Sequence, residues 1–188
     1  MTSPKSYHHG DLASALVRAA TELLEEDGGA GLSLRAAARR AGVSTAAPYR
    51  HFTDREALVS AVAAVGYREL TQALIDTHSD PHTRDDLMDL AVTYVRFALD
   101  RPGLFRAMFA EPCDPTSTDR TAAAAAISAY LESVVAKAMP DVDPQSAATA
   151  TWALVHGLAF LHLDGKFDAS SNSDVEARVR AAVSAVLP

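Results

Sequence analysis

The stretch Thr45-Ala46-Ala47-Pro48-Tyr49-Arg50-His51-Phe52 gives five of its eight positions to polar or ring-bearing donors or to Pro. That composition is odd for a helix that only fills a core, and it fits one that touches nucleic acid. Thr45 and Ala46 are small enough to let a backbone approach a groove floor, where their methyl groups can meet thymine. Tyr49 and His51 offer O–H and N–H donors to phosphate oxygens, and Arg50 can reach phosphate or guanine. Ser33 and Ser44 stand where N-caps are expected, and the free N–H groups of a helix start favour an anion.

The total charge speaks against such a partner, with 17 Lys plus Arg against 24 Asp plus Glu, a net of -7. Position along the chain changes this. Residues 1–60 hold seven basic and seven acidic groups, so the whole excess of acid lies further on. Residues 28–53 carry Arg35, Arg39, Arg40 and Arg50 with no acid, directly after acids clustered at 22–27. A sharp basic window inside an acidic chain is an electrostatic footprint for phosphate. The plain alternative is a solvated helix face.

The elements that must position these groups are helical. The 188 residues are 48% hydrophobic, with 38 Ala against 15 Val and only 2 Ile, a composition rich in helix formers and poor in strand formers. One Cys allows no intramolecular disulfide, the first 30 residues hold no apolar signal core, and no apolar run approaches the ~20 residues of a membrane span. A cytoplasmic protein without a membrane partner is expected. Apolar periodicity cut by Gly and Pro predicts a first helix from about Asp11 to Glu26 with Leu12, Leu16, Ala19, Ala20 and Leu23 on its inner stripe. A short helix from Leu34 to Ala41 comes next, capped by Ser33, then one from Thr45 to Phe52 capped by Ser44. Thr53 to Glu56 has capping-box spacing and opens a long helix to about His78. Further helices are expected over about 83–100, 104–110, 117–138, 145–165 and 174–186, with no strand.

Two short helices joined by Gly42-Val43-Ser44 have the form of a helix-turn-helix, with Gly at the turn and the second helix presented outward. Tyr7-His8-His9-Gly10-Asp11-Leu12, Leu32 to Arg35, Ala41 to Ser44, Ala47 to Phe52 and Arg55-Glu56-Ala57-Leu58 together resemble the DNA-binding domain of TetR-family transcriptional regulators over residues 7–66. Downstream, Leu104 to Phe109 followed by Trp152 and Val155-His156-Gly157-Leu158 resembles the Trp-His-Gly type of C-terminal regulatory domain in one branch of that family. The resemblance implies phosphate contacts from Ser33, Tyr49, His51 and the position of Arg55, and groove contacts from Arg35, Thr45, Ala46 and Arg50. The family usually has Lys where this chain has Arg55, which keeps the charge and changes the hydrogen-bonding fork. Asp11 replaces a more usual Asn and puts a negative group near the expected DNA face, unless it caps the first helix. The His8-His9 pair reads as an arm along the phosphate backbone or as a disordered end. It has no ligand partner spaced for a metal.

In the C-terminal half, Trp152, Val155, His156, Ala159, Phe160 and Leu163 fall on one helical stripe. With Phe105, Met108, Phe109 and Tyr130 they either fill a core or line an apolar effector pocket marked by His156 or Tyr130. Ala153, Gly157 and Leu161 lie off that stripe. They are expected, with Val175, Val179 and Val183 of the last helix, to form a two-fold dimer interface.

No nucleophile elbow, phosphate loop, zinc-protease motif or paired Cys is present in the sequence. Asp141-Val142-Asp143 followed by Pro144 reads as a helix cap, not a calcium loop, and Cys113 between two prolines reads as an inert thiol. No enzyme activity, catalytic residue, metal or cofactor is therefore expected. The expectation is an all-α chain. Its N-terminal three-helix helix-turn-helix domain, residues 7–66, precedes a helical-bundle ligand-binding and dimerisation domain, residues 67–188. The implied partners are a palindromic double-stranded DNA operator, a small apolar effector and a second copy of the chain. Two rivals stand beside this reading: a helical enzyme with a relic head, and a protein-interaction adaptor using the last helix.

Overall fold

The structure, a computed structural model, describes residues 9–29 and 31–186. Among these residues there are eight α-helices and one 3-10 turn, in the order α1 (His9–Asp27), α2 (Leu34–Arg40), the 3-10 turn Pro48–Arg50, α3 (Arg55–Thr77), α4 (Arg84–Asp100), α5 (Pro102–Phe109), α6 (Thr118–Ala138), α7 (Pro144–Leu163) and α8 (Asn172–Val186). No strand occurs among the described residues. The helices divide into two compact units. The first combines the chain up to Val65 with Gly103–Arg120, and the second combines Gly66–Pro102 with the chain from Thr121 onward. The segment 103–120 thus packs with the N-terminal unit, not with the residues that surround it in sequence, which departs from the expected division into 7–66 and 67–188.

Chemistry at the start of α5 explains that return. Glu25 of α1 accepts hydrogen bonds from the Gly103 and Leu104 amides at 2.9 and 3.2 Å, so a carboxylate caps the positive end of the helix. A Cβ at Gly103 would lie 2.2 Å from the Leu24 carbonyl oxygen, so only glycine permits this approach. Behind the cap, Leu104, Phe105, Ala107 and Met108 are wholly or almost wholly buried. The Asp114 amide donates to Ser60 Oγ at 2.8 Å and ties down the chain beyond α5.

The inner face of α1 consists of Leu16, Ala19, Ala20 and Leu24. Leu24 takes the place expected for Leu23, because the 16, 20, 24 spacing follows the four-residue ridge of the helix. The helix starts at His9, so Asp11 stands within the first turn and not at the cap. The His8 reading lies outside the described residues, as do the side chains of His9 and Asp11.

In the second unit α4 packs on α7 and α8. Thr83 and Asp86 close a capping box at the start of α4, and Asp143 caps α7 by accepting from the Ser146 amide at 2.8 Å, the cap expected from the Asp-Val-Asp-Pro sequence. The α8 stripe Val175, Val179 and Val183 is buried against its own unit, at 1%, 0% and 0% exposure. Those three valines therefore belong to the core of one chain, contrary to their expected place at a dimer interface. An ion-pair network of Arg180 with Asp89 and Glu176 holds the same helix in place, and His78 Nε2 meets Asp89 at 2.8 Å.

Candidate functional site

Ser33 Oγ accepts from the Ala36 amide at 3.1 Å and opens α2. The helix ends on Gly42 at φ 69°, with the Gly42 amide donating to Arg39 O and the Val43 amide to Ala38 O. This is the paired 5→2 and 6→1 bonding of a Schellman close. Beyond Ser44 the chain departs from the expected Thr45–Phe52 α-helix: it makes a turn, and then only Pro48–Arg50 as a 3-10 turn. Pro48 has no N–H to give, and the Ala47, Arg50 and His51 amides each bond three residues back, at 2.9, 3.2 and 2.8 Å. The tighter bonding is the local consequence.

The resulting surface is sharply sided. Leu34, Ala37, Ala38, Pro48 and Phe52 face inward, while Ser33, Arg35, Ser44, Thr45, Ala46, Tyr49 and Arg50 are exposed, Tyr49 by 54%. Seven of the nine residues expected to meet DNA thus share the outside of one small motif. The other two are held differently. His51 is half-buried with its Nε2 enclosed and without a hydrogen-bond partner. Arg55 donates through Nε to the Leu32 carbonyl at 3.2 Å and pairs with Glu111 at 2.7 Å, so its guanidinium is tied inside the unit. The planar fork spreads its donors, so that Nε and Nη2 each reach a separate acceptor, which the single ammonium nitrogen of Lys does not reproduce.

The basic window is also thinned selectively. Arg40 pairs with Glu22 and Glu26, the acids clustered on α1, and its pKa is raised by those bonds while that of Glu26 is lowered by the same contact. Arg35, Arg39 and Arg50 remain exposed.

The second unit holds an apolar cavity in which the centre of a water-sized sphere can move over about 30 Å³. Leu74, Leu87, Leu90, Tyr94, Leu131, Val134, Val135, Thr151, Trp152 and Val155 are among its lining residues, and no lining residue is charged. A second hollow of about 80 Å³ shares Leu131, Ala148 and Trp152 with it. Trp152 Nε1 donates to Tyr94 Oη at 3.1 Å, and Tyr94 Oη lies 3.0 Å from His156 Nδ1. Burial raises the Tyr94 pKa and lowers that of His156, so both groups are held neutral.

Comparison with known proteins finds two matching stretches of the chain. The profile described as "Tetracyclin repressor-like, C-terminal domain" matches residues 87–186, and that of "Bacterial regulatory proteins, tetR family" matches residues 16–62. The chain belongs to the TetR family. A solved protein of unknown function from Rhodococcus sp. RHA1 shares 34% identity over 96% of this chain and 97% of its own, with a TM-score of 0.80. The fatty acid degradation regulator FadR from Bacillus halodurans shares the fold at 12% identity, with a TM-score of 0.71 over 94% of this chain and 96% of that one. Among curated relatives, the tetracycline repressor protein class C of Escherichia coli is 40% identical over 72 residues, 38% of this chain and 31% of that protein. The uncharacterized regulator YobS of Bacillus subtilis is 28% identical over 92 residues, 49% of this chain. The chain spans about half the length of the latter, 48%.

Within this TetR-family frame the expected effector residues separate. Trp152 lines the cavity, and His156 reaches it indirectly through Tyr94. Tyr130 and Phe160 are half-buried and do not line it, although the Phe160 ring packs on His156 at 4.9 Å between centroids. Phe105, Met108 and Phe109 belong to the other unit, where Phe105 and Met108 are buried and the half-buried Phe109 ring packs 4.9 Å from that of Phe105. Sequence reasoning missed Tyr94 and Thr151. The signal for Tyr94 was its place on the inner stripe of α4 with Leu87, Leu90 and Ala91, whereas nothing in the sequence singles out Thr151. On α7, Ala153 and Gly157 are exposed and Leu161 is 39% exposed, as an interface requires, and a Cβ at Gly157 would meet nothing within 4 Å. Among the described residues no group of three or more His, Cys, Asp or Glu could hold a metal, and no helix is long and apolar enough to cross a membrane.

Proposed function

We propose that the protein is a dimeric, effector-responsive transcriptional regulator that represses from a palindromic double-stranded DNA operator and lets go when a small apolar molecule enters the second unit. The observation that carries this reading is the sidedness of the helix-turn-helix. Its apolar residues are spent inward, while Ser33, Arg35, Ser44, Thr45, Ala46, Tyr49 and Arg50 are all turned out. Tyr49 and the exposed Ser44 hydroxyl suit phosphate, and Arg35, Thr45, Ala46 and Arg50 suit base edges. Arg55 supports the motif from within and joins the phosphate contacts only if its bonds to Leu32 and Glu111 are released, and His51 only if its enclosed Nε2 is uncovered.

Two copies are needed to read a palindrome, with the motifs about 34 Å apart. The exposed faces left for a partner helix are Ala150, Ala153, Gly157 and Leu161 of α7 with Ala177 and Ala181 of α8. Small residues there let helices approach closely. Effector and operator are coupled because the chain passes between the two units at residues 65–66, 102–103 and 120–121. Each ligand then weakens the other by the same amount, typically about 1 to 3 kcal/mol.

The test is footprinting on the DNA flanking the coding region, with the full chain and with Tyr49→Ala and Arg50→Ala. Each substitution is expected to abolish the protected site while size-exclusion chromatography still shows a dimer. Undiminished protection by both variants would sink the assignment.

A further inference from the structure

Four threonines inside helices share a bond that Thr151 lacks. Thr21, Thr71, Thr77 and Thr149 each donate their hydroxyl to the carbonyl four residues back, at 2.7 to 3.0 Å. Thr151, two residues from Thr149 on the same helix, does not. Its Oγ1 is buried and has no hydrogen-bond partner, and the residue is one of those lining the apolar cavity. A buried hydroxyl left unpaired carries an uncompensated desolvation cost, and the usual back-bond would relieve it. The two other polar groups at the wall are already engaged with each other, since the Trp152 indole donates to the Tyr94 hydroxyl.

From this we infer that the cavity selects a compact, electrically neutral, largely hydrocarbon molecule bearing one hydroxyl or carbonyl group, and that Thr151 is the residue that recognises that group. The inference rests on the effector reading of the second unit and narrows it. Neutrality is set by the wall: no charged side chain lines it, so a carboxylate or ammonium ligand would be buried without a counter-charge. Compactness is set by the 30 Å³ available, room for roughly two waters. A single ring already requires the walls to give. A hydroxyl both donates and accepts, so Thr151 serves an alcohol or a ketone equally.

Trp152 is the only Trp in the chain and lines the cavity, so its emission reports occupancy directly. Full-length protein is titrated with cyclohexanol, methylcyclohexane and cyclohexanecarboxylate, none of which absorbs where Trp is excited. The expected result is saturable shifts with the first two and none with the carboxylate at concentrations where cyclohexanol saturates. Thr151→Val, which keeps the shape and removes the hydroxyl, should weaken cyclohexanol about three- to tenfold and leave methylcyclohexane within twofold. Thr151→Ser should retain the preference, and melting curves confirm that both variants are folded. The inference is overturned if the carboxylate binds as well as the alcohol, if Thr151→Val weakens both neutral probes alike or neither, or if no probe shifts Trp152. The same probes are added to the footprinting reaction to separate this inference from the regulator reading. Selective binding without loss of protection breaks the regulator reading and leaves the selectivity standing, while loss of protection unaffected by Thr151→Val breaks the selectivity alone.

Discussion

The two units solve opposite problems with the same helical material. The N-terminal unit turns its chemistry outward: its polar groups sit on an exposed turn, and its surplus charge is edited by internal ion pairs, Arg40 with Glu22 and Glu26, Arg55 with Glu111. The second unit turns chemistry inward, with a Trp-Tyr-His chain at the cavity wall and the Thr151 and Tyr130 hydroxyls buried without partners. On the proposed function, one unit displays groups to a large anionic partner and the other keeps groups from water where a small molecule would bind. The difference teaches where each kind of function is recorded. Display is written in local sequence, because a helix cap, a turn and a few exposed side chains are neighbours in the chain. Concealment is written in tertiary packing between α3, α4, α6 and α7.

The sharpest way to break this contrast is at Gly103, on which the return of α5 to the first unit depends. Gly103→Ala puts a methyl group 2.2 Å from the Leu24 carbonyl oxygen, a backbone atom that cannot swing away. A loss of about 3 kcal/mol or more is expected, concentrated in the first unit. Far-UV circular dichroism should then show an early unfolding step while the Trp152 emission of the second unit holds. A single transition shared by both signals would deny the units their separate stability.

A smaller effect separates core from interface in the second unit. Val179→Ala removes buried methyl groups and should cost about 1 to 3 kcal/mol in folding, with the dimer surviving in conditions where the chain is folded. Leu161→Glu acts on an exposed face, and it should leave the folding of one chain nearly unchanged while abolishing the dimer in analytical ultracentrifugation. The opposite pattern would return the α8 valines to the interface first expected for them.

Smaller again is the effect of Glu111→Gln. The Arg55 pair is about one-third exposed, so its loss should cost no more than about 1 kcal/mol of stability. Yet it frees a guanidinium at a position where the family resemblance places a phosphate contact. The salt dependence of operator binding should therefore steepen by about one unit of slope per subunit. An unchanged slope would mean that Arg55 serves the fold alone.

The legibility of the chain obeys the same divide. The positions of all eight helices are readable from Gly, Pro and cap residues to within two or three residues, because those signals are local. The outward face of the helix-turn-helix is readable for the same reason. The recognition segment reads as an α-helix in sequence and is not one, since the periodicity of Thr45 to Phe52 masks the missing donor of Pro48. The valine stripe of α8 points to a partner only as far as periodicity can, which says that a face is apolar and not whose core it enters. Phe105, Met108 and Phe109 group with Trp152 by their place in the sequence, whereas Gly103 and Glu25 carry α5 elsewhere. Thr151 is invisible in the sequence, because an unpaired hydroxyl exists only once its surroundings do.

The mildest perturbation, pH, tests the concealed chemistry without touching a residue. Burial holds the His156 pKa below its ordinary 6.5, and His162, almost fully buried, is lowered for the same reason with Arg178 adding to it. A group with a depressed folded pKa binds fewer protons when folded than when unfolded, so stability rises with pH across the interval between the two values. As pH falls from 7 through 6.5 the unfolded chain takes up protons first and the second unit loses stability. Carboxylates act in a separate window. Asp86 is lowered to about 2 by bonds from the His82 amide and Thr83, so its contribution persists above the ordinary value of 3.8 and fades only below it. Protonating His156 would make Nδ1 a donor toward an oxygen that already accepts from Trp152, so the Tyr94 proton would have to give up His156 as its acceptor. Melting followed by Trp152 emission should therefore show a midpoint that falls between pH 7 and 5 and again below 4. His156→Gln, whose amide oxygen can still accept from Tyr94, should shrink the first fall and leave the second. A first fall that is unaltered in the variant would place the proton uptake at His162 and leave the Trp-Tyr-His chain indifferent to pH.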